Sequence, residues 1–279
     1  MADTAFAVPW SALYDYRIPK AADDSQLAVC HGTTANGEAC DCSKKPVGFC
    51  LRGLWGYRNV IEQLAESPTD ADGAIGKIAD APTAPTIGLL RTVADPWANG
   101  LSALLSASKG VTVTDFRPAD GMMAMLGVEN SRPAVLVYVG HQINKGTDEA
   151  PEPRLVRPPD DFPVLELNDL TFEIRDKKRW KVPRSLVLLL ACDSGTTRVD
   201  TGVGFAGAML KLGAIGVVGT ECSVYTSLVA KYASELVSRL ASGMPMGKAI
   251  HKTNWAVAEQ GCPLSLAFTY LGTIEARLP

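Results

Sequence analysis

Short unbroken runs of apolar residues recur from residue 86 onward, separated by stretches in which apolar residues return every three or four positions. The runs predict strands at 86–92, 111–116, 134–139, 185–191, 214–220 and 266–272. The run LVLLL at 186–190 has no polar residue at alternate positions, as expected of a parallel strand covered on both faces. The order of strands and helices predicts an α/β fold with a mostly parallel central sheet and helices on both faces.

The three-and-four spacing predicts helices at 54–64, 98–109, 119–127, 203–212, 225–242 and 245–260. Gly213 directly follows one of these helices, and glycine at that position predicts a C-terminal cap. Segment 163–174 reads as two short strands that turn at Asn168-Asp169. We therefore expect a β-hairpin inserted between the strands at 134–139 and 185–191.

The chain before residue 86 has a different character. The helix at 54–64 is its main regular element, and 66–85 is rich in Pro, Ala and Asp, as loops and linkers are. We expect an N-terminal segment at 1–85, with a cysteine-rich structural element at 30–50, packed on a core at 86–279.

Composition narrows the class of protein. Of 279 residues, 47% are hydrophobic and 20% charged, which is typical of an ordered globular chain, and the net charge of -3 argues against nucleic-acid or anionic-membrane partners. No apolar run approaches the ~18–20 residues that span a bilayer, and the N-terminus lacks the basic start of a signal peptide. A cytoplasmic location is expected, with the seven cysteines as thiols, nucleophiles or metal ligands.

Two predicted strands end in reactive side chains. His141 follows the strand at 134–139 and Gly140, and Cys192 follows the strand at 185–191. Open parallel sheets place functional groups at the carboxyl ends of their strands. If these two strands are neighbours, the imidazole and the thiol face each other, and a base beside a thiol lets the thiolate form at neutral pH. Gly140 leaves backbone accessible for an oxyanion hole. A buried packing cysteine and a structural histidine are the alternative interpretation of the same pattern.

Six segments in order carry a resemblance to a known family. They are VPWSALYD (8–15), CLRGLWGYR (50–58), YVGH (138–141), LACDSG (190–195), GFAGAMLKLGAIGVVG (204–219) and SGMPMGKAI (242–250). With them the chain resembles the CHAT-domain family of caspase-like cysteine peptidases over most of its length. The resemblance implies a caspase-like (caspase-hemoglobinase) three-layer fold.

The resemblance also implies a reaction. Cys192 would be the nucleophile and His141 the general base and acid of a cysteine endopeptidase that needs no catalytic cofactor. Gln142 stands where the family usually has Gly, which keeps a main-chain N–H but narrows the cleft. Asp193, next to the nucleophile, is expected to shape the pocket for the substrate residue before the scissile bond.

Partners and control follow from the same resemblance. It implies a protein or peptide substrate and an activating partner protein, within a regulated bacterial defence or signalling system. We expect a control loop with an order-to-disorder transition at 143–162. The alternative is a catalytically silent caspase-like domain that binds peptides or partner proteins.

Four cysteines suggest a metal site: Cys30, Cys40, Cys42 and Cys50. Four thiolates can hold a structural zinc tetrahedrally, although paired CxxC spacing is absent. Simple buried thiols or a redox-sensitive pair are the alternatives. His251 is expected at the surface, Cys222 at the sheet edge that carries Cys192, and Cys262 in a structural role.

Overall fold

The computed structural model describes residues 13–16, 28–30, 40–44, 48–61, 85–92, 96–116, 133–147, 150–157, 162–168, 170, 185–191, 204–260 and 262–278. The strands are β1 (Ala28–Cys30), β2 (Gly48–Cys50), β3 (Thr86–Arg91), β4 (Thr112–Phe116), β5 (Val135–Val139), β6 (His141–Thr147), β7 (Ala150–Arg157), β8 (Phe162–Glu166), β9 (Leu186–Leu190), β10 (Gly216–Thr220) and β11 (Phe268–Gly272). The α-helices are α1 (Trp55–Arg58), α2 (Pro96–Ser106), α3 (Phe205–Lys211), α4 (Thr226–Ala241) and α5 (Met246–Glu259). Short 3-10 helices lie at Leu51–Gly53 and Pro263–Ala267.

A six-stranded sheet forms the centre of the molecule, in the order β11-β10-β9-β5-β3-β4. All neighbouring strands are parallel except β10 and β11, which are antiparallel. Each of the six lies within two residues of its predicted bounds at either end. The predicted α/β fold with a mostly parallel sheet is therefore confirmed.

The two faces of this sheet bury different partners. On one face Leu186, Leu188 and Leu190 of β9 belong to a core with α2, α4 and α5. On the other face Val187 and Leu189 belong to a core with α3 and with residues of β7 and β8. Each fully buried Leu or Val stabilises the fold by about 1.5–3 kcal/mol, so strands covered on both faces need the uninterrupted apolar runs that the sequence shows.

Helix α3 ends as the sequence predicts. Gly213 has a φ of 103°, and its N–H donates to the carbonyl of Leu210 at 2.9 Å. Only a residue without a Cβ adopts this left-handed conformation at little cost. The chain then turns directly into β10.

Helix α1 is shorter than the predicted helix at 54–64. It ends at Arg58, Asn59 is extended, and residues 60–61 are not helical. The reason is tertiary: the Tyr57 carbonyl, which a longer helix would use internally, accepts a hydrogen bond from Trp255 Nε1 at 2.7 Å and lies 3.0 Å from His251 Nε2. Side chains of α5 therefore compete with the next turn of the helix.

The inserted β element differs from the predicted hairpin at 163–174. Between β5 and β9 the chain forms an antiparallel sheet in the order β6-β7-β8, and β8 pairs with β7. The predicted turn is wrong at Asn168, which is helical, as Leu167 and Leu170 are, while Asp169 and 171–174 lie outside the described residues. Leu155 of β7 and Leu165 of β8 stand opposite each other and are buried on the second face of the central sheet, which fixes the observed pairing.

The segment 143–162, expected to be a loop, is not a loop over most of its length, and its control function stays a prediction. Residues 143–147 and 150–157 are strand. The helix predicted at 119–127 lies outside the described residues. Within the described ranges, none of the helices has both the length and the apolar character that crossing a bilayer requires.

Candidate active site

Strands β5 and β9 lie side by side at the middle of the central sheet. They run parallel with Val139 opposite Leu190, and the N–H of Gly140 donates to the Leu190 carbonyl at 3.4 Å. Both strands therefore end at the same sheet edge. His141 begins β6 there with an exposed side chain. Cys192 follows Ala191 in the sequence and, with Asp193, lies outside the described residues.

A buried hydroxyl network holds the backbone of His141. The Tyr138 hydroxyl lies 3.4 Å from the His141 carbonyl, 3.3 Å from the Val156 carbonyl and 3.3 Å from Thr92 Oγ1. Thr92 donates to the same Val156 carbonyl at 3.1 Å. These hydrogen bonds connect β5 and the residue after β3, both in the central sheet, to β7 of the three-stranded sheet. His141 therefore lies where the two sheets are in contact.

Burial raises the pKa of the Tyr138 hydroxyl well above its usual value, although the hydrogen bond with Thr92 opposes the shift. The group therefore keeps its proton at neutral pH. It can donate that proton to one of the carbonyls at a time. Tyr138 thus affects His141 by holding its main-chain carbonyl in place, and it carries no charge that would act on the imidazole.

Gly140 is required by close packing. A Cβ at this position would collide with Thr92 Oγ1 and with the Tyr138 hydroxyl. The N–H of Gly140 already donates to the Leu190 carbonyl. The described contacts therefore explain this glycine by close packing. Gln142 is half-buried and stands opposite Leu155 in the β6–β7 pair. An oxyanion role for either residue stays a prediction.

A second buried hydroxyl holds the backbone beside the predicted nucleophile. Thr220, at the end of β10, is fully buried and donates from Oγ1 to the Ala191 carbonyl at 2.5 Å. The residue before Cys192 is thereby fixed to the neighbouring strand. Sequence reasoning missed Thr92, Tyr138 and Thr220; hydroxyl side chains at the ends of apolar strands were the available signal.

The other predicted site residues lie as follows. Cys222 is exposed two residues beyond Thr220, at the edge where β9 and β10 end, as expected. Cys262 is half-buried and packs against the core, in keeping with its expected structural role. His251 was expected at the surface, but it is partly buried because its ring contacts the Tyr57 carbonyl.

The four N-terminal cysteines form one cluster. The Sγ atoms of Cys30, Cys40, Cys42 and Cys50 all lie within 4.8 Å of one another, a spacing at which they could bind a metal ion. Cys30 stands opposite Cys50 in the parallel β1–β2 pair, and Cys40 Sγ lies 3.4 Å from Cys50 Sγ. Burial raises the pKa of Cys42 to about 11 and raises that of Cys50 further. Burial also opposes ionisation of Cys40, but hydrogen bonds from the Cys42 N–H and neighbouring thiols lower its pKa overall.

Solved structures with partial similarity were found. The chain is similar to the Arg-specific cysteine proteinase gingipain R (13% identity, TM-score 0.48), covering 73% of this chain and 49% of that one. It is similar to the complex of the pro- and mature domains of RgpB from Porphyromonas gingivalis (12% identity, TM-score 0.48), covering 92% of this chain and 66% of that one. The Saccharomyces cerevisiae separase in complex with securin matches at 14% identity and a TM-score of 0.46, covering 70% of this chain and 12% of that one. The chain therefore spans about half of the gingipain R chain and a small part of separase.

Sequence comparisons give the family. No curated protein matches this sequence. The family model for the CHAT domain matches residues 57–265, which include five of the six described strands of the central sheet in full and the predicted Cys192 and His141. The resemblance seen in the sequence motifs is confirmed, and the chain belongs to the CHAT domain family.

Proposed function

We propose that this protein is a cysteine endopeptidase in which Cys192 is the nucleophile and His141 the general base and acid. One observation carries the proposal: β5 and β9 are neighbouring parallel strands in register, with Val139 opposite Leu190. Both strands end at the same sheet edge, where β5 leads through Gly140 into His141 and β9 ends two residues before Cys192 in the sequence. Membership of the CHAT domain family supports the same assignment.

The chemistry that follows has two stages. The Cys192 thiol gives its proton to His141, and the thiolate attacks the peptide carbonyl to form a tetrahedral intermediate. Main-chain N–H groups near 140–142 and 192 hold the oxyanion, and His141 protonates the leaving amine as the C–N bond breaks. Water activated by His141 then hydrolyses the thioacyl enzyme. No cofactor takes part in these steps.

The finer proposal concerns substrate and setting. We propose a specific protein partner as substrate and an activating protein partner, in a regulated bacterial defence or signalling system in the cytoplasm. Asp193 next to the nucleophile is proposed to influence the substrate residue accepted before the scissile bond.

The proposal is tested with a diverse peptide library incubated with wild type and with Cys192→Ala, analysed by mass spectrometry. We expect products from wild type that Cys192→Ala does not form, and loss of the same products in His141→Ala. Cys222→Ser is the matched control, because Cys222 is an exposed thiol at the same sheet edge. Equal cleavage by wild type and Cys192→Ala would reject the assignment.

Absence of cleavage in every sample would favour the alternative, a catalytically silent domain that binds peptides in the same cleft. Pull-down of library peptides by Cys192→Ala then identifies bound sequences. A silent domain retains its peptides unchanged, whereas a peptidase that needs its activator cleaves them once that protein is added.

A further inference from the structure

The cysteine cluster in the N-terminal segment serves no step of the proposed reaction. Cys30, Cys40, Cys42 and Cys50 come from three separate stretches of chain, yet their sulfur atoms share one small volume. Two of them are buried, Cys50 fully and Cys42 at 5% exposure. We propose that these four thiolates bind one zinc ion, which fixes the N-terminal segment to the catalytic core.

The sulfur positions suit a single tetrahedral ion. Zinc binds cysteine sulfur at about 2.3 Å, so two sulfurs of a tetrahedral site lie roughly 3.8 Å apart. The Sγ atoms of Cys40 and Cys50 are 3.4 Å apart, slightly less than this distance. No two of the four sulfur atoms are more than 4.8 Å apart, so small shifts would bring all of them to a single ion. A polynuclear iron–sulfur cluster would hold several irons and sulfides between its cysteines and needs a wider cage.

Backbone donors already point at the sulfurs. The N–H of Cys42 bonds to the Cys40 sulfur, and the N–H of Arg52 bonds to the Cys50 sulfur. In both cases the donor lies two residues after the cysteine. Hydrogen bonds from the main chain orient thiolate ligands and compensate part of their charge, which is what a metal site requires of its surroundings.

The short strands around the cysteines would gain stability from a bound ion. β1 and β2 form a pair of three-residue strands, and two strands of that size are not stable alone in water. The buried apolar cluster nearest to them is small: Leu51, Tyr57, Ala258 and Leu266. A four-thiolate site leaves no open coordination position, so the ion is structural and contributes folding free energy instead of chemistry.

A short path leads from the cluster to the core. Cys50 is followed directly by the 3-10 helix Leu51–Gly53 and then by α1, whose Tyr57 carbonyl is held by Trp255 of α5. Tyr14 adds a second connection, because its hydroxyl accepts from the Cys50 N–H at 3.1 Å and its ring stacks on Phe49. Zinc at Cys50 would therefore order the segment that reaches α5.

The first test needs no variant. Metal content of the purified full chain is measured by mass spectrometry, and zinc K-edge X-ray absorption reports its ligands. We expect stoichiometric zinc with four sulfur ligands at about 2.3 Å. Bound iron in place of zinc, a metal-free folded protein, or a mixed oxygen–nitrogen ligand shell would each overturn the proposal.

The second test assigns the ligands. Cys42→Ser and Cys50→Ser are expected to lose most of the zinc, while Cys222→Ser and Cys262→Ser, outside the cluster, keep it. Thiol counting under denaturing, non-reducing conditions excludes a disulfide: all four cluster thiols should react once zinc is chelated. A Cys40–Cys50 disulfide in protein isolated without oxidation would contradict the proposal. The X-ray absorption spectrum of the wild-type protein tests the proposal without any variant, so the proposal can still be tested if a variant misfolds.

Discussion

The edge of the central sheet and the N-terminal segment are ordered by different means. At the sheet edge, β5 and β9 are buried along their whole length, and buried hydroxyls of Tyr138 and Thr220 hold the backbone next to the predicted catalytic residues. In the described part of the N-terminal segment the strands are three residues long, and four thiols lie close together beside a small apolar cluster. At the sheet edge, apolar burial fixes the strands, and buried hydroxyls then hold the backbone beside the predicted catalytic residues. In the N-terminal segment, we propose that a metal ion bound by the four cysteines adds the stability that the short strands do not supply.

The largest effect should come from the core under the sheet edge. Leu188→Ala removes a fully buried side chain from the middle of β9 and is expected to lower the free energy of unfolding by about 2–5 kcal/mol. Leu104→Ala, on an exposed position of α2, should change it little. Urea unfolding of both variants measures the difference, and equal losses would contradict the account of the core.

Gly140→Ala should be the next most harmful change. Its new Cβ would collide with Thr92 and with the Tyr138 hydroxyl, which we expect to cost about 1–3 kcal/mol and to displace His141. Gly100→Ala is the matched control, because a Cβ there meets nothing within 4 Å and alanine favours the helix. Thermal unfolding should separate the two variants in opposite directions. A harmless Gly140→Ala would show that the packing argument fails.

Tyr138→Phe tests the hydroxyl network by itself. Removing one buried hydroxyl should cost about 0.5–1.5 kcal/mol of stability, and the proposed peptidase activity should fall more than this loss explains because His141 loses a backbone contact. Tyr225→Phe, at an exposed tyrosine, is the control. Stability by denaturant and kcat by peptide cleavage are measured together. Unchanged kcat in Tyr138→Phe would remove the positioning role.

The smallest effect concerns Asp15 in the N-terminal segment. Arg58 Nη2, at 2.5 Å, and Trp55 Nε1, at 3.1 Å, hydrogen-bond the carboxylate, and the pKa of Asp15 is lowered chiefly by the Arg58 hydrogen bond. A carboxyl group whose pKa is lower in the folded state stabilises that state at pH values above the unfolded-state pKa of about 3.9. This contribution disappears as the pH falls through the folded-state pKa.

We therefore expect the local stability of wild type to fall slightly below about pH 4. Asp15→Asn lacks the carboxylate, so its local stability should not show this fall. The side chains of Arg58 and Asp15 are 31% and 43% exposed, so solvent screens the pair and the difference should be slight. Hydrogen exchange of residues 54–58 in the two proteins measures it. The same pH dependence in both would mean that the pair contributes nothing.

Much of the fold was predictable because its determinants are local. Strands that are buried on both faces consist of apolar residues alone, so β5, β9 and β10 stand out of the sequence, and Gly213 identifies the end of α3 without further information. The shared sheet edge of His141 and Ala191 follows from the same rule, because parallel strands end at one edge of their sheet. That β5 and β9 are neighbours depends on the strand order, which the structure supplies.

What could not be predicted depends on distant or atypical contacts. The end of α1 is set by His251 and Trp255, nearly 200 residues along the chain, and no local spacing reveals them. β7 contains Pro151 and Pro153, which argue against a central strand, although it lies between β6 and β8. The hydroxyl contacts of Tyr138 and Thr220 require the register of the sheet to be known first.

The most direct test of the proposed catalytic pair is the rate at which a broad thiol electrophile labels each cysteine, followed by peptide mass spectrometry. Cys192 is expected to react faster than the exposed Cys222 in wild type. In His141→Ala, the rate of Cys192 alone should fall, and the Cys222 rate should stay unchanged. Labelling of Cys192 no faster than Cys222, or at the same rate without His141, would contradict the pairing of this thiol with this base.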